Sequence, residues 1–179
     1  MIKRIKIRSQ LIIYLFFLLS YSLAQQNFTA PGLEYICELK IKLDPAIVVG
    51  QTPKGLRRII PITGGTVNGP QIKAEILPGG ADWQYIRPDG TVELEAHYQI
   101  KTSDSVIIYI VNTGIRVATP EITAKMAKGE FVPANEYYFR ATPKFESPAG
   151  KYYWMNNSLF IAKGIRNPDF VSIQVWKVL

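Results

Sequence analysis

The sequence holds one cysteine and one histidine in 179 residues. A lone cysteine, Cys37, excludes an intramolecular disulfide, so burial and hydrogen bonding have to hold the fold. With His97 as the single imidazole, the chain is poor material for a zinc centre, which takes three or four Cys, His or carboxylate ligands. The same scarcity leaves a Ser-His-Asp triad only one candidate base, and no serine or threonine sits in a G-x-S-x-G elbow. Gly64-Gly65 and Gly79-Gly80 lack the lysine pattern of a phosphate-binding loop. Tandem repeats and low-complexity tracts are missing too. No metal and no cofactor are expected.

Long apolar runs are also scarce. The most extended, Leu11 to Leu23, is short for a bilayer span, which needs about 20 residues. Lys3, Arg4, Lys6 and Arg8 precede it, and Ser22-Leu23-Ala24 follows as a small-x-small cleavage site. Residues 1–24 therefore read as a secretory signal peptide, with Gln25 as the mature start and 25–179 as one domain. An uncleaved anchor is the other reading of that run, and Cys37 lies too far beyond it for a lipoprotein. The expectation is an exported protein, periplasmic or extracellular and bacterial in type, with no stable membrane span after cleavage. Four of the 21 basic residues belong to the signal, so 17 face 14 acidic ones in the rest, and the net charge falls from +7 to +3. No basic patch suited to nucleic acid is left.

What remains is β pattern. "LEYICELKIKL" places Leu33, Tyr35, Cys37, Leu39, Ile41 and Leu43 on one face of a half-buried strand, with Cys37 as a small buried hydrophobe. Further strands are expected at 57–62, 71–77, 82–87, 91–101, 105–111, 137–142, 152–162 and 170–178. Turn chemistry breaks them at Gly64-Gly65, Asn68-Gly69-Pro70, Pro78-Gly79-Gly80, Pro88-Asp89-Gly90, Asn112-Thr113-Gly114 and Asn167-Pro168-Asp169. Only "TPEITAKMAKGE" reads as a helix, capped by Thr119, with Pro120 in its first turn and Gly129 at its end. Many short strands with short connections indicate an all-β fold. The expected form is a single closed antiparallel β-barrel of about eight to ten strands, lipocalin- or streptavidin-like, with one short helix. The barrel mouth is then the default pocket.

Candidate chemistry lies on strand faces. Glu93, Glu95, His97 and Gln99 share one face of "VELEAHYQI". They are either a wet outer face or, for Glu95 and His97, an acid/base pair inside a cavity. Tyr98 lies on the opposite face. Tyr138, Arg140 and Thr142 share a face of a late strand, and Tyr152, Trp154 and Asn156 share one of the next, a ring density that suits a small organic ligand. In "LPGGADWQYIRPDG", Asp82 and Trp83 point to opposite faces unless a bulge after Gly80 redirects them, so at most one of the two lines the cavity.

The stretch "GLRRIIPITGGTVNGPQIKAEILPGGADWQYIRPDGTVELEAHYQIKTSDS", with "YYFRATPKFES" and "YYWMNN", resembles the DUF3237 family, also called UPF0311, from about Gly55 to the C-terminus. The resemblance implies a small single-domain β-barrel and little about chemistry. Its shared polar positions would be Arg58, Asp82, Trp83, Arg140, Trp154 and Asn156. Departures fall at Leu94-Glu95-Ala96-His97-Tyr98, where the family has L-D-A-R-Y, at Thr102-Ser103-Asp104-Ser105 for T-D-D-G, and at Trp154-Met155-Asn156 for W-L-N. Three readings follow. In the first, the barrel holds a small, partly aromatic or apolar molecule through Arg58, Trp83, Tyr98, Tyr138, Arg140, Trp154 and Asn156. In the second, it is a cofactor-independent isomerase, cyclase or hydratase with Asp82, Glu95 or His97 in acid/base roles and arginine or tyrosine steadying negative charge. In the third, the shared residues are structural, with Asp82 tied to the Gly79-Gly80 turn and to Arg58. The sequence leaves the oligomeric state open, a homodimer included.

Overall fold

A computed structural model describes residues 29–179; the signal peptide expected at 1–24 lies outside them. Ten strands form one antiparallel sheet: β1 (Leu33–Leu43), β2 (Ile47–Thr52), β3 (Gly55–Asn68), β4 (Lys73–Ile76), β5 (Gly80–Ile86), β6 (Val92–Thr102), β7 (Ile107–Val117), β8 (Tyr138–Glu146), β9 (Phe160–Arg166) and β10 (Val171–Val178). One helix, α1 (Pro120–Ala127), joins β7 to β8. The order β1-β10-β9-β8-β7-β6 continues through β4 and β5, both of which pair with β3, and β3 pairs back onto β1. The sheet thus closes into a barrel of eight staves. β4 and β5 form one interrupted stave, and β2 is an extra strand bonded only to β3.

Closure assigns every side chain to the inside or the outside. In β8 the alternation is clean: Phe139, Ala141, Pro143 and Phe145 are buried, and Tyr138, Arg140, Thr142 and Lys144 are exposed. β1 departs from its expected alternation. A bulge between Tyr35 and Cys37 inserts Ile36, so Ile36, Cys37, Leu39 and Ile41 are buried while Leu33 and Tyr35 face outward. The bulge explains why the pattern read from Leu33 was one residue out of phase at its start. Burial pushes the Cys37 thiol up to about 12, which leaves it a core atom and not a nucleophile.

Two expected turns are strand interior. β7 runs straight through Asn112-Thr113-Gly114 because β6 and β8 pair with it on both sides there. β3 likewise runs through Gly64-Gly65, with β1 on one side and β4 on the other. Glycine is needed at these positions for reasons other than turning. At Gly65, φ is +144°, and a Cβ would lie 2.0 Å from the Lys40 carbonyl oxygen of β1. The expected strand at 152–162 is also corrected. Its first part is a 3-10 turn, Tyr153–Asn157, and strand begins at Phe160. The Asn156 side chain accepts from the Ser147 N–H and donates to the Ser147 carbonyl, which folds this segment back on the end of β8. Met155 of the turn is buried in the core.

Other expectations match. Thr119 caps α1 by accepting from the Ile122 N–H, and Ile122 and Met126 are its buried residues. Arg87-Pro88-Asp89-Gly90 is a turn closed by the Gly90 N–H on the Arg87 carbonyl, with φ +82° at Gly90. β2 is an element the sequence pattern did not announce. Ile47, Val48 and Val49 are exposed, so no inside–outside alternation marks it.

The core fills one half of the barrel. Tyr98, Ile100, Ile108 and Ile110 are completely buried there, with Phe145 and Phe160 in edge-to-face contact at 4.8 Å. The other half, toward the β5–β6 hairpin and α1, is hollow. Replacing Gly65 by alanine should put a methyl group against the Lys40 carbonyl at a backbone angle that alanine resists. Urea unfolding should then show a loss of about 1–3 kcal/mol. An unchanged midpoint would mean that β1 and β3 are not closely apposed at this seam.

Candidate functional site

The hollow half is a cavity of about 500 Å³. Its walls can be laid out in layers from the strand register. The deepest layer runs Ile60, Asp82, Ala96, Asn112 across β3, β5, β6 and β7. The next runs Arg58, Gln84, Leu94, Gly114, Ala141. Nearer the mouth come Ile86, Val92, Arg116 and Phe139. Arg166, at the end of β9, lines the cavity beside the β9–β10 loop, and Thr123, Met126 and Ala127 of α1 complete the rim. Small residues at 96, 114 and 141 leave the room that larger side chains would fill.

Six of the lining residues are ionisable: three arginines, Arg58, Arg116 and Arg166, and three aspartates, of which Asp82 lies deep and Asp44 and Asp169 belong to the loops at the mouth. None of the three arginines lies within ion-pair distance of a carboxylate among the described residues. Arg58 donates through Nε to Gln84 Oε1 at 2.8 Å, and Gln84 donates through Nε2 to Asp82 Oδ2 at 2.5 Å. The amide of Gln84, itself 3 % exposed, thus stands between the cation and the anion as a relay. Asp82 Oδ1 and Asn112 Oδ1 are buried and have no hydrogen-bond partner among the described residues.

The charges respond to this enclosure. Burial pushes the Asp82 carboxyl above its ordinary value, against the opposing pull of the Gln84 amide, the Glu95 backbone N–H, Arg58 and Arg116. Some Asp82 surface remains open, but it faces the cavity. Burial also pulls Arg116 down to about 10, with Arg58 and Arg166 adding repulsion. Arg58 and Arg166 are lowered in turn, chiefly by burial. The site therefore sets three arginines around one deep carboxyl whose pKa burial raises.

The residues picked out from sequence separate into three groups. Asp82 and Arg58 reach the cavity. Asp82 does not bond the Gly79-Gly80 turn and does not pair directly with Arg58; Gln84 takes both contacts. Tyr98 points inward, but it lies in the packed half beneath the cavity, fully buried, with its hydroxyl unpartnered. Trp83, Glu95, His97, Tyr138 and Arg140 face outward. An acid/base pair of Glu95 and His97 inside the barrel is thus corrected. The two share a hydrogen bond of 2.9 Å on the outer surface, where His97 also meets the Tyr109 hydroxyl at 2.7 Å and the Trp83 ring edge-to-face. The parity that puts Tyr98 inside forces Glu95 and His97 outside. Trp83, Glu95, Tyr138 and Arg140 line a shallower outer groove instead. Trp154 and Asn156 sit on the 3-10 turn. Trp154 packs against Phe160, and Asn156 holds Ser147, so both act in closing the packed end.

Gln84, Asn112, Arg116 and Arg166 are the cavity residues that sequence reading missed. Gln84 was legible, because it shares parity with Asp82. Arg116 and Asn112 were hidden by the false turn at 112–114, which removed the strand on which their parity depends. Among the described residues no group of three or more His, Cys, Asp or Glu side chains is placed to hold a metal ion.

The family model for a protein of unknown function, DUF3237, matches residues 31–178. A UPF0311 protein of Clostridium acetobutylicum is 40% identical over 153 residues, covering 85% of this chain and 97% of the relative. The crystal structure of a conserved protein of unknown function from Rhodopseudomonas palustris superposes with a TM-score of 0.80 at 38% identity, covering 85% of this chain and 99% of that one. The hydroalkoxylation enzyme phnH of Penicillium herquei is 26% identical over 129 residues, 72% of this chain and 71% of the relative. With its barrel, its matched span and these relatives, the chain belongs to the DUF3237 (UPF0311) family.

Proposed function

We propose that the barrel interior binds a small organic anion and that Asp82 moves a proton to or from it. The observation that carries this reading is the set of three cavity arginines with no acidic partner beside a buried carboxyl raised in pKa. Burying unpaired cations is costly, and a bound anion offsets that cost. A carboxyl whose pKa burial raises is suited to giving and taking a proton, and guanidinium groups steady an oxygen that gains negative charge. Gln84 fixes the Asp82 carboxyl through one oxygen, and the other has no hydrogen-bond partner among the described residues.

The reaction class that suits these parts is proton-transfer chemistry of the isomerase, cyclase or hydratase type, run by groups the chain itself supplies. The hydroalkoxylation named for the fungal relative belongs to that class. An O–H bond and a C=C π bond break, a C–O and a C–H bond form, and no oxidant or reductant is consumed. The proton leaving oxygen and the proton reaching carbon are the two transfers a single carboxyl can serve. The substrate of this chain is a proposal of class only: an organic acid, enol or phenol small enough for the cavity.

Export of the protein is also proposed, on the basic head, the apolar run and the small-x-small site of residues 1–24. Among the described residues no helix is long and apolar enough to cross a membrane. Expression in a bacterial host should give, in the periplasmic or culture fraction, a product whose intact mass starts at Gln25. A full-length mass in the cell pellet alone would refute this.

The carboxyl makes a second prediction through stability. Its pKa is higher in the folded than in the unfolded chain, so between the two values the folded state binds more protons. Stability contributed by Asp82 is then full at low pH and lost as pH rises through the folded value. Asp82→Asn should be more stable than the parent at pH 7 in urea titrations, and the gap should narrow toward pH 4. A parent more stable than the variant at pH 7 would show that ionised Asp82 is held favourably.

For function, deuterium uptake from D2O into 1,3-dicarbonyl enols and unsaturated aromatic acids can be followed by NMR without knowing the product. Asp82→Asn should lower exchange by about 10²–10⁴-fold and leave thermal-shift binding intact, and Arg116→Gln should weaken binding. Binding without exchange in the parent would leave a holding protein and remove the catalytic part.

A further inference from the structure

The unpartnered polar atoms of the cavity are of two opposite kinds, and they sit at opposite ends. Near the mouth, Arg116 and Arg166 offer only N–H donors, and they make no side-chain hydrogen bond or ion pair within the described residues. At the floor, Asp82 Oδ1 and Asn112 Oδ1 are buried acceptors without a donor. Asp82 and Asn112 stand in one layer on either side of Ala96, whose methyl group leaves a gap between them. Both residues line the cavity, with these two oxygens themselves buried in its wall.

We infer that the site takes a hydroxylated organic acid in one fixed orientation, its acid group on the arginines and its hydroxyl between Asp82 and Asn112. This rests on the reading of the interior as an anion site and adds to it what the far end of the ligand must be. An anionic oxygen cannot serve the floor, because it brings no proton to donate to Asp82 Oδ1 or Asn112 Oδ1. A methyl or bare ring edge cannot serve it either, since a buried acceptor left without a donor destabilises the complex. A hydroxyl brings that proton: it can donate to Asp82 Oδ1 or to Asn112 Oδ1, which flank Ala96 in one layer. The Asn112 amide has no other side-chain partner and can turn either way round.

The distance between the two ends sets the length of the ligand. Asn112 and Arg116 are four residues apart on β7, a rise of about 13 Å along the strand. Between them Leu94, Gly114 and Ala141 give one apolar wall, and Arg58 and Gln84 stand beside it in the same layer. A single aromatic ring or an unsaturated chain, with the acid at one end and the hydroxyl at the other, matches that spacing once a hydrogen bond is added at each end. The hydroxyl also lies on the free oxygen of the carboxyl that moves the proton, so the floor is where an O–H bond would be opened.

Three probes separate the ends: 4-hydroxycinnamate, cinnamate and methyl 4-hydroxycinnamate, titrated calorimetrically into the purified protein. The hydroxylated acid should bind about tenfold or more tightly than cinnamate, a gap of roughly 1.4 kcal/mol, and the ester should bind weakest. Asp82→Ala should close the gap between the two acids, and Asn112→Ala, which leaves the charged group in place, should narrow it if the first variant fails to fold. Equal affinity for the two acids, with both stronger than the ester, would overturn this inference and leave the anion site standing. No measurable binding of either acid below about 1 mM would overturn both.

Discussion

The seam between β1 and β3 turns an alternation of side chains into an inside and an outside. Six residue pairs, from Glu38 with Asn68 to Leu43 with Ile62, join the first strand to the third and close the sheet. Without them the sheet would have two open edges, and one face of every strand would have no interior to line. Both strands make room for the seam. β1 carries a bulge near its start, and β3 carries Gly65, where the β1 backbone approaches too closely for a Cβ. The long β3 then continues past the seam, bonds β5, and places Arg58 opposite Gln84. The closure and the relay to Asp82 are therefore built on one strand.

The two halves of the barrel use their volume in opposite ways. In the packed half, large side chains interdigitate, and the 3-10 turn with Met155 and Tyr152 seals the end. In the hollow half, alanine and glycine stand where bulk would be expected, and cations and amides occupy an interior that offers them little solvation. Such an arrangement weakens the fold locally, since each buried polar atom without a partner is a cost that packing elsewhere has to offset. The packed half supplies that stability, so the division of the barrel is also a division of labour.

Much of this was legible in the sequence. Short strands, turn residues and a single capped helix indicated a closed barrel, and the family resemblance agreed with it. Asp82 and Arg58 were identified because their stretches are distinctive. Parity was the weak point, because strand alternation says which residues share a face and not which face is inside. Glu95 and His97 were weighed as an interior pair on a pattern that fits an outer face equally well. Asn112 and Arg116 were lost for another reason. Asn-Thr-Gly is good turn chemistry, and only pairing with β6 and β8 holds it extended. Long-range pairing overrode local preference there, as it did at Gly64-Gly65.

The barrel begins and ends at the same place. The Leu179 N–H bonds the Gly32 carbonyl, and β1 and β10 lie side by side from that point. Both run between the packed end and the mouth, with Leu43 and Val171 at the mouth and Leu33 and Val178 at the far side. Anything attached at either terminus, whether a tag, a surface or another domain, therefore leaves from the sealed end and keeps the opening unobstructed. The same adjacency means that the two ends can be joined and the circle cut at an exposed turn such as Pro88-Asp89-Gly90, giving a reordered chain with the same staves.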